Sequence, residues 1–174
     1  FIQTWTIFFG NFASSLIIGV LTFYALDQLH LTKKELGLML TIAACGGILG
    51  AKIIHPLRKK LRRGQIYTYS TFAEACILAL MFFANQWIAL GILLGLRTAI
   101  STMTNIVYLA LRQETTPNHL LGRVAGTSSM IMKLALPVGL FIGGIWADTL
   151  PIPPIFLISA LIILFNVFLL MKVK

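Results

Sequence analysis

Charge is scarce in this sequence, and negative charge scarcest: five Asp and Glu stand against 14 Lys and Arg, and charged residues make up 11% of 174. Soluble domains carry roughly 25%. With 58% hydrophobic residues and a mean hydropathy of +0.91, a water-soluble fold is excluded. Cysteine is almost absent too: Cys45 and Cys76 both fall inside apolar runs, where each reads as a small hydrophobe. Two such positions offer neither a metal site nor a disulfide framework. No nucleophile elbow, HExxH, paired CxxC or phosphate-cradling glycine loop is present, so nothing points to an enzyme and no cofactor or metal is expected. The opening FIQTWTIFFG has no initiator Met, and it lacks the basic region and cleavage site of a signal peptide. The expectation is a chain that starts partway through a longer polypeptide.

What is there instead is apolar sequence in span-sized blocks. A helix needs about 20 mostly apolar residues to cross a bilayer, so this length accommodates roughly six crossings with short connections. The fold expected is an all-α membrane protein of six transmembrane helices in one bundle over residues 1–174, with spans at about 2–24, 36–54, 65–83, 87–111, 124–146 and 153–170. Thr32 with Glu35 three residues on reads as a capping box for the second helix. Pro153 and Pro154 mark the start of the sixth, which continues as an almost unbroken run of Leu, Ile and Phe.

Direction comes from the stretch IHPLRKKLRRG. Arg58, Lys59, Lys60, Arg62 and Arg63 crowd into six positions, expected as a cytoplasmic basic loop over 55–64, because Lys and Arg near span ends accumulate inside. The other cations sort accordingly. Lys52, Arg112, Arg123, Lys172 and Lys174 join the five on the inner side, and only Lys33 and Lys34 fall outside. Both termini are then cytoplasmic in a multi-pass protein of the plasma (inner) membrane, and Tyr24, Trp87 and Trp146 land in an outer aromatic belt. The net charge of +9 is spent on topology and membrane lipid, so nucleic acid is not an expected partner.

Three ionisable residues are left inside spans. Glu74 is nine residues beyond Gln65, Arg97 ten beyond Trp87 and Lys133 ten beyond Arg123, so each sits roughly 14 to 15 Å from its span end, near mid-bilayer. Charges there are costly and face a bundle interior or an aqueous cavity. Their helical neighbours agree: Tyr67, Ser70 and Thr71 share a face with Glu74; Ser101, Asn105 and Tyr108 with Arg97; Ser129 and Pro137 with Lys133. Asn11, Ser14, Ser15 and Thr22 stripe the first span. The expected substrate or cavity residues are Asn11, Ser14, Arg97, Ser101, Asn105 and Lys133. Glu74 and Lys133 are the proton-coupling candidates, since a desolvated lysine can lose its proton and an arginine cannot. The structural alternative for Glu74 is a buried ion pair with Arg97 or Lys133. Small residues such as Gly46, Gly50, Gly139 and Gly143 read as close helix packing, as does the spacing of Gly122 with Gly126. Pro137 reads as a kink point.

Taken together, Arg112, Pro117, Leu121, Gly122, Arg123 and Val124, then Pro137, Gly139, Gly143 and Gly144, then Gly50 followed by the basic stretch, resemble the C-terminal six-helix half of a major facilitator superfamily transporter. The flavour is that of the bacterial drug and macrolide efflux branch. The resemblance covers nearly the whole chain and implies half a pore, whose partner is an N-terminal six-helix half in the same longer chain or a second subunit. It implies gating or topological roles for Arg58, Lys59, Lys60, Arg62, Arg63, Arg112, Gly122 and Arg123. The superfamily's signature loop carries an Asp shortly before its arginines, whereas His55 and Pro56 stand there in this chain.

The function expected is secondary active transport by alternating access, a proton-coupled efflux of an amphipathic small molecule. Export of an anionic metabolite, siderophore or lipid is the alternative within transport. A non-transporting membrane scaffold is the alternative of another class, and it would bury Glu74, Arg97 and Lys133 in one closed triad.

Overall fold

The computed structural model describes residues 2–171, so Lys172 and Lys174 of the charge count lie outside the described residues. Six long helices follow one another: α1 (Ile2–Phe23), α2 (Lys33–Lys60), α3 (Arg63–Met81), α4 (Trp87–Thr115), α5 (Leu121–Thr149) and α6 (Pro153–Met171). No strand occurs among the described residues. All but α3 are long and apolar enough to cross a membrane. The polar stripe of α3, from Tyr67 to Glu74, lowers its hydropathy, and that stripe is turned inward: Tyr67, Ser70, Thr71 and Glu74 are all buried.

Local chemistry accounts for the helix ends. Thr32 Oγ1 accepts from the Glu35 backbone N–H at 3.3 Å while the Glu35 carboxylate accepts from the Thr32 N–H at 2.8 Å, the reciprocal box expected from the sequence. His30, with φ of 51°, makes the preceding left-handed turn. α1 ends in a π-helical turn, Tyr24–Gln28, which carries Tyr24 into the core against Phe156, their rings 5.8 Å apart. Tyr24 is 3% exposed and so does not join an interfacial belt; packing against an aromatic partner outweighs the interface for this side chain.

The basic stretch also differs from expectation. It is not a loop over 55–64: α2 runs through Pro56 to Lys60, only Leu61 and Arg62 are extended, and α3 starts at Arg63. Proline removes a backbone hydrogen bond there and crowds the carbonyl four residues back, yet the helix continues. Arg58, Lys59 and Lys60 fill the last turn, where cations are favoured by the negative end of the helix dipole. We call this side of the molecule the basic end.

Packing runs in the order α5, α1, α6, α3, α4, α2, each helix lying against the next. The two flanking contacts are the closest. A Cβ on Gly46 or Gly50 of α2 would overlap the backbone of Gly95 or Ala99 on α4, and one on Gly139 of α5 would meet Ser15 and Phe12 on α1. Gly143 lies against Leu16. In contrast, α1 and α4 face each other across a gap, too far apart to pack. α6 and α3 close that gap from behind, sealed by a core that includes Leu78, Met81, Ile155 and Phe156.

A polar crevice between two helices and an exposed lysine beside it

The gap between α1 and α4 is the candidate site. It holds a crevice of about 50 Å³ lined by Thr6, Ile7, Gly10, Asn11 and Ser14 of α1, Tyr67, Thr71 and Glu74 of α3, Ser101, Thr104 and Asn105 of α4, and Ile163 and Asn166 of α6. From Thr6 to Ser14, or from Asn105 back to Arg97, is eight residues, so the crevice reaches roughly 12 Å along the helices, from mid-bundle toward the basic end. Asn105 is exposed and Asn11 and Ser101 half-buried, which makes them the mouth; Thr6, Tyr67, Glu74 and Asn166 are buried and form the floor.

Helical spacing puts the floor together. Residues 67, 71 and 74 recur at i, i+4 and i+7, so one face of α3 delivers a phenol, a hydroxyl and a carboxylate to the same cleft. Arg97 comes from α4 at the inner limit: its Nε is 3.4 Å from Glu74 Oε1 and its Nη2 donates to Ser14 Oγ of α1. This guanidinium is a polar link across the α1/α4 gap, and it ties that gap to the acid behind it. At the basic end of the floor, Thr6 and Tyr67 share a hydrogen bond of 3.3 Å between their hydroxyls, and Asn166 Nδ2 donates to the Thr6 carbonyl at 3.0 Å. The Asn166 carbonyl oxygen and Arg97 Nε are both buried without a hydrogen-bond partner.

Several of the sequence-derived residues therefore come together, and others do not. Glu74, Arg97 and Ser14 meet directly. Asn11 lines the mouth, with its Nδ2 donating to Met132 O of α5 at 3.0 Å. Asn105 and Ser101 lie on the opposite wall, joined by a 3.1 Å bond from Asn105 Nδ2 to the Ser101 carbonyl. Lys133 stands apart, exposed on α5 and without an ion-pair partner among the described residues. Its side of α5 can be read from what packs. Ser128, Met132, Ala135, Gly139 and Gly143 form the buried strip toward α1. On one flank Val124, Thr127 and Ile131 line a hollow together with Trp5, and Trp5 leads through Phe9 to Phe165 of α6, the rear of the bundle. Lys133 occupies the other flank with Gly122, Gly126, Pro137 and Gly144, so it shares the front with the crevice mouth. No atom lies near a Cβ placed on Gly122, Gly126 or Gly144, so the expected close packing of Gly122 with Gly126 does not occur among the described residues. Pro137 is exposed inside an unbroken α5.

At the basic end, Arg58, Lys59, Lys60, Arg62 and Arg123 are exposed. Arg63 pairs with Glu114 at the end of α4, and Arg112 stacks over the Tyr108 ring at 5.6 Å. An acid therefore does answer the arginine cluster, supplied by α4 rather than by the stretch before the arginines. Sequence reasoning missed Glu114 as that partner and missed Asn166 altogether, although a lone amide in an unbroken apolar helix is the signal of a polar contact inside the bundle.

The family is decided by a family model, that of the Major Facilitator Superfamily, which matches residues 4–174. The chain belongs to the Major Facilitator Superfamily. No individual curated protein matches it. Superfamily membership makes membrane transport the general activity and fits the absence of catalytic motifs, since its members are transporters rather than enzymes. Among the described residues no group of His, Cys, Asp and Glu could hold a metal ion.

Proposed function

We propose that the chain is the C-terminal six-helix half of a secondary active transporter, working by alternating access against a second six-helix half, and that it exports an amphipathic small molecule of drug or macrolide type in exchange for protons. α3 crosses the membrane with the other five helices, the basic end is cytoplasmic, both termini lie there, and the membrane is the plasma (inner) membrane. The observation that carries the reading is the split between Arg97 and Lys133. A scaffold would close Glu74, Arg97 and Lys133 into one buried triad, whereas here the first two are paired inside and Lys133 is left on an exposed front with Asn105, Asn11 and unpacked glycines. A midplane ammonium with no partner among the described residues needs water, a second bundle or an anionic ligand.

The small front residues suit the close approach of a moving second bundle. Asn11, Ser14, Ser101, Asn105 and Lys133 contact substrate in this reading, Arg97 is the fixed charge behind them, and Glu74 or Lys133 carries the coupled proton. The test is export by the full-length transporter in proteoliposomes with and without an imposed pH gradient. Glu74→Gln should abolish acceleration by the gradient while leaving substrate exchange at equal pH, and Lys133→Met should abolish the acceleration as well; full gradient dependence in both variants would sink the coupling. The unpaired Lys133 ammonium also favours a second reading, an anionic metabolite, siderophore or lipid as cargo. In that case Lys133→Met raises KM for anionic cargo and leaves neutral cargo unaffected.

A further inference from the structure

The crevice has features that substrate contact does not require. Its deep end is walled by α3 and α6, behind the α1 and α4 residues that face the front, so a bulky cargo at the mouth does not reach Glu74. Its volume of about 50 Å³ accommodates roughly three waters, allowing about 15 Å³ of such volume for each. The walls offer hydroxyl, phenol and amide groups at every turn from Asn105 and Asn11 to Glu74. One buried acceptor, Asn166 Oδ1, has no protein partner although the residue is 1% exposed and lines the cleft. Buried polar atoms are almost always satisfied by protein or ordered water, and a polar pocket of this size is one that water fills.

We propose that this crevice is a water-filled side chamber that carries protons between the front face and Glu74. The Glu74–Arg97 pair, and not the exposed Lys133, is then where protonation is read. This rests on the proton-coupled reading above and chooses between its two candidates. The charged and titratable groups around Glu74 are few. Arg97 faces it from α4 and Tyr67 lies on its own helix, with Tyr108 of α4 beside Tyr67 rather than Glu74, whereas the crevice residues of α1 and α6 carry no charge. A proton delivered along the water file converts the Glu74 carboxylate to the neutral acid and dissolves its pairing with Arg97. The guanidinium then keeps its bond to Ser14, so one proton alters this strap across the α1/α4 gap. Cargo at the mouth and the proton at the floor are thereby coupled through Arg97 without touching.

The experiment uses the full-length transporter with Cys45 and Cys76 replaced by Ala. Thr104→Cys, on the crevice wall, should react with a membrane-impermeant thiol reagent added at the basic end, and Asn166→Leu, which fills the floor with an apolar side chain of similar size, should largely abolish that reaction. In parallel, infrared difference spectra of the otherwise unaltered protein against pH should show one buried carboxyl band, present with Lys133→Met, lost with Glu74→Gln and slowed in its response to a pH jump by Asn166→Leu. A Thr104→Cys thiol that resists the reagent, or a carboxyl band indifferent to Glu74→Gln, overturns the proposal. A titrating Glu74 in a transporter whose export ignores the pH gradient would instead overturn the coupled-export reading and leave the chamber standing.

Discussion

Arg97 and Lys133 are two cations at the same depth on α4 and α5, and the molecule treats them in opposite ways. Arg97 is 9% exposed, paired with Glu74 and hydrogen-bonded to Ser14. Lys133 lies on open surface among glycines at which an added Cβ would meet nothing within 4 Å. Protein partners meet the cost of burying the charge in the first case, and in the second the charge stays on the open surface. Depth alone therefore does not define a role. The face of the helix separates the two: one cation is buried behind the crevice and the other lies on the exposed front.

The largest test of that contrast is to remove one member of the buried pair. Glu74→Leu leaves Arg97 inside the bundle with only a serine hydroxyl, and breaking a buried ion pair on one side costs about 3–5 kcal/mol. Glu74→Leu combined with Arg97→Met should recover most of that loss, since an apolar pair of similar volume removes both desolvation penalties. Thermal unfolding of the purified full-length protein reads the cycle. Additive losses in the double variant would mean that the two side chains are not one unit, and the contrast with Lys133 would collapse.

The buried pair was within reach of the sequence because depth and helical face can be counted. Residues 67, 70, 71 and 74 announce an inward polar stripe on α3, and with one acid and two cations at mid-depth at most one cation could be neutralised. Which cation that is depends on the order of helices around the bundle, and no periodicity within a single helix contains it. The gap between α1 and α4 is hidden for the same reason: it arises because α2 and α5 pack on the outer sides of α4 and α1 and leave their facing sides apart. The basic stretch failed differently. Pro56 and five cations read as a loop, but α2 continues through the proline despite the lost hydrogen bond and the crowded carbonyl four residues back, and cations are welcome at a helix C-terminus. Asn166 was lost in the bulk apolarity of α6, where a single amide hardly moves a hydropathy average yet anchors the crevice floor to Thr6.

The glycines extend the comparison from charge to packing. Gly46 and Gly126 both sit on long helices among small residues, but a Cβ on Gly46 would overlap the Gly95 carbonyl, whereas one on Gly126 meets nothing within 4 Å. Forcing atoms into a closed contact costs about 1–3 kcal/mol, so Gly46→Ala should lower thermal stability by that order, and Gly50→Ala likewise against Ala99. Gly126→Ala should leave stability of the bundle unchanged and, if a second bundle slides over this face, impair transport instead. Unfolding measured beside transport separates the two, and a Gly126→Ala variant as unstable as Gly46→Ala would mean that the front is packed like the α2/α4 contact.

The smallest effect on stability belongs to Lys133. A side chain without a partner in its own bundle contributes little to holding that bundle together, and substitutions away from buried networks usually stay within about 0.5 kcal/mol. Lys133→Met should therefore melt with the unaltered protein even though it removes a charge at the same depth as Arg97. Its consequence lies in solvent and ligand contact. Lys133→Cys should be modified by a small hydrophilic thiol reagent, and, in the transporter proposed above, bound cargo or closure of the second half should shield it. Arg97→Cys, behind the Ser14 wall, should react far more slowly in a protein kept folded by the paired Glu74→Gln change. Equal rates at the two positions would place both cations on one continuous wet surface, and the division into a buried strap and an open wall would have to be abandoned.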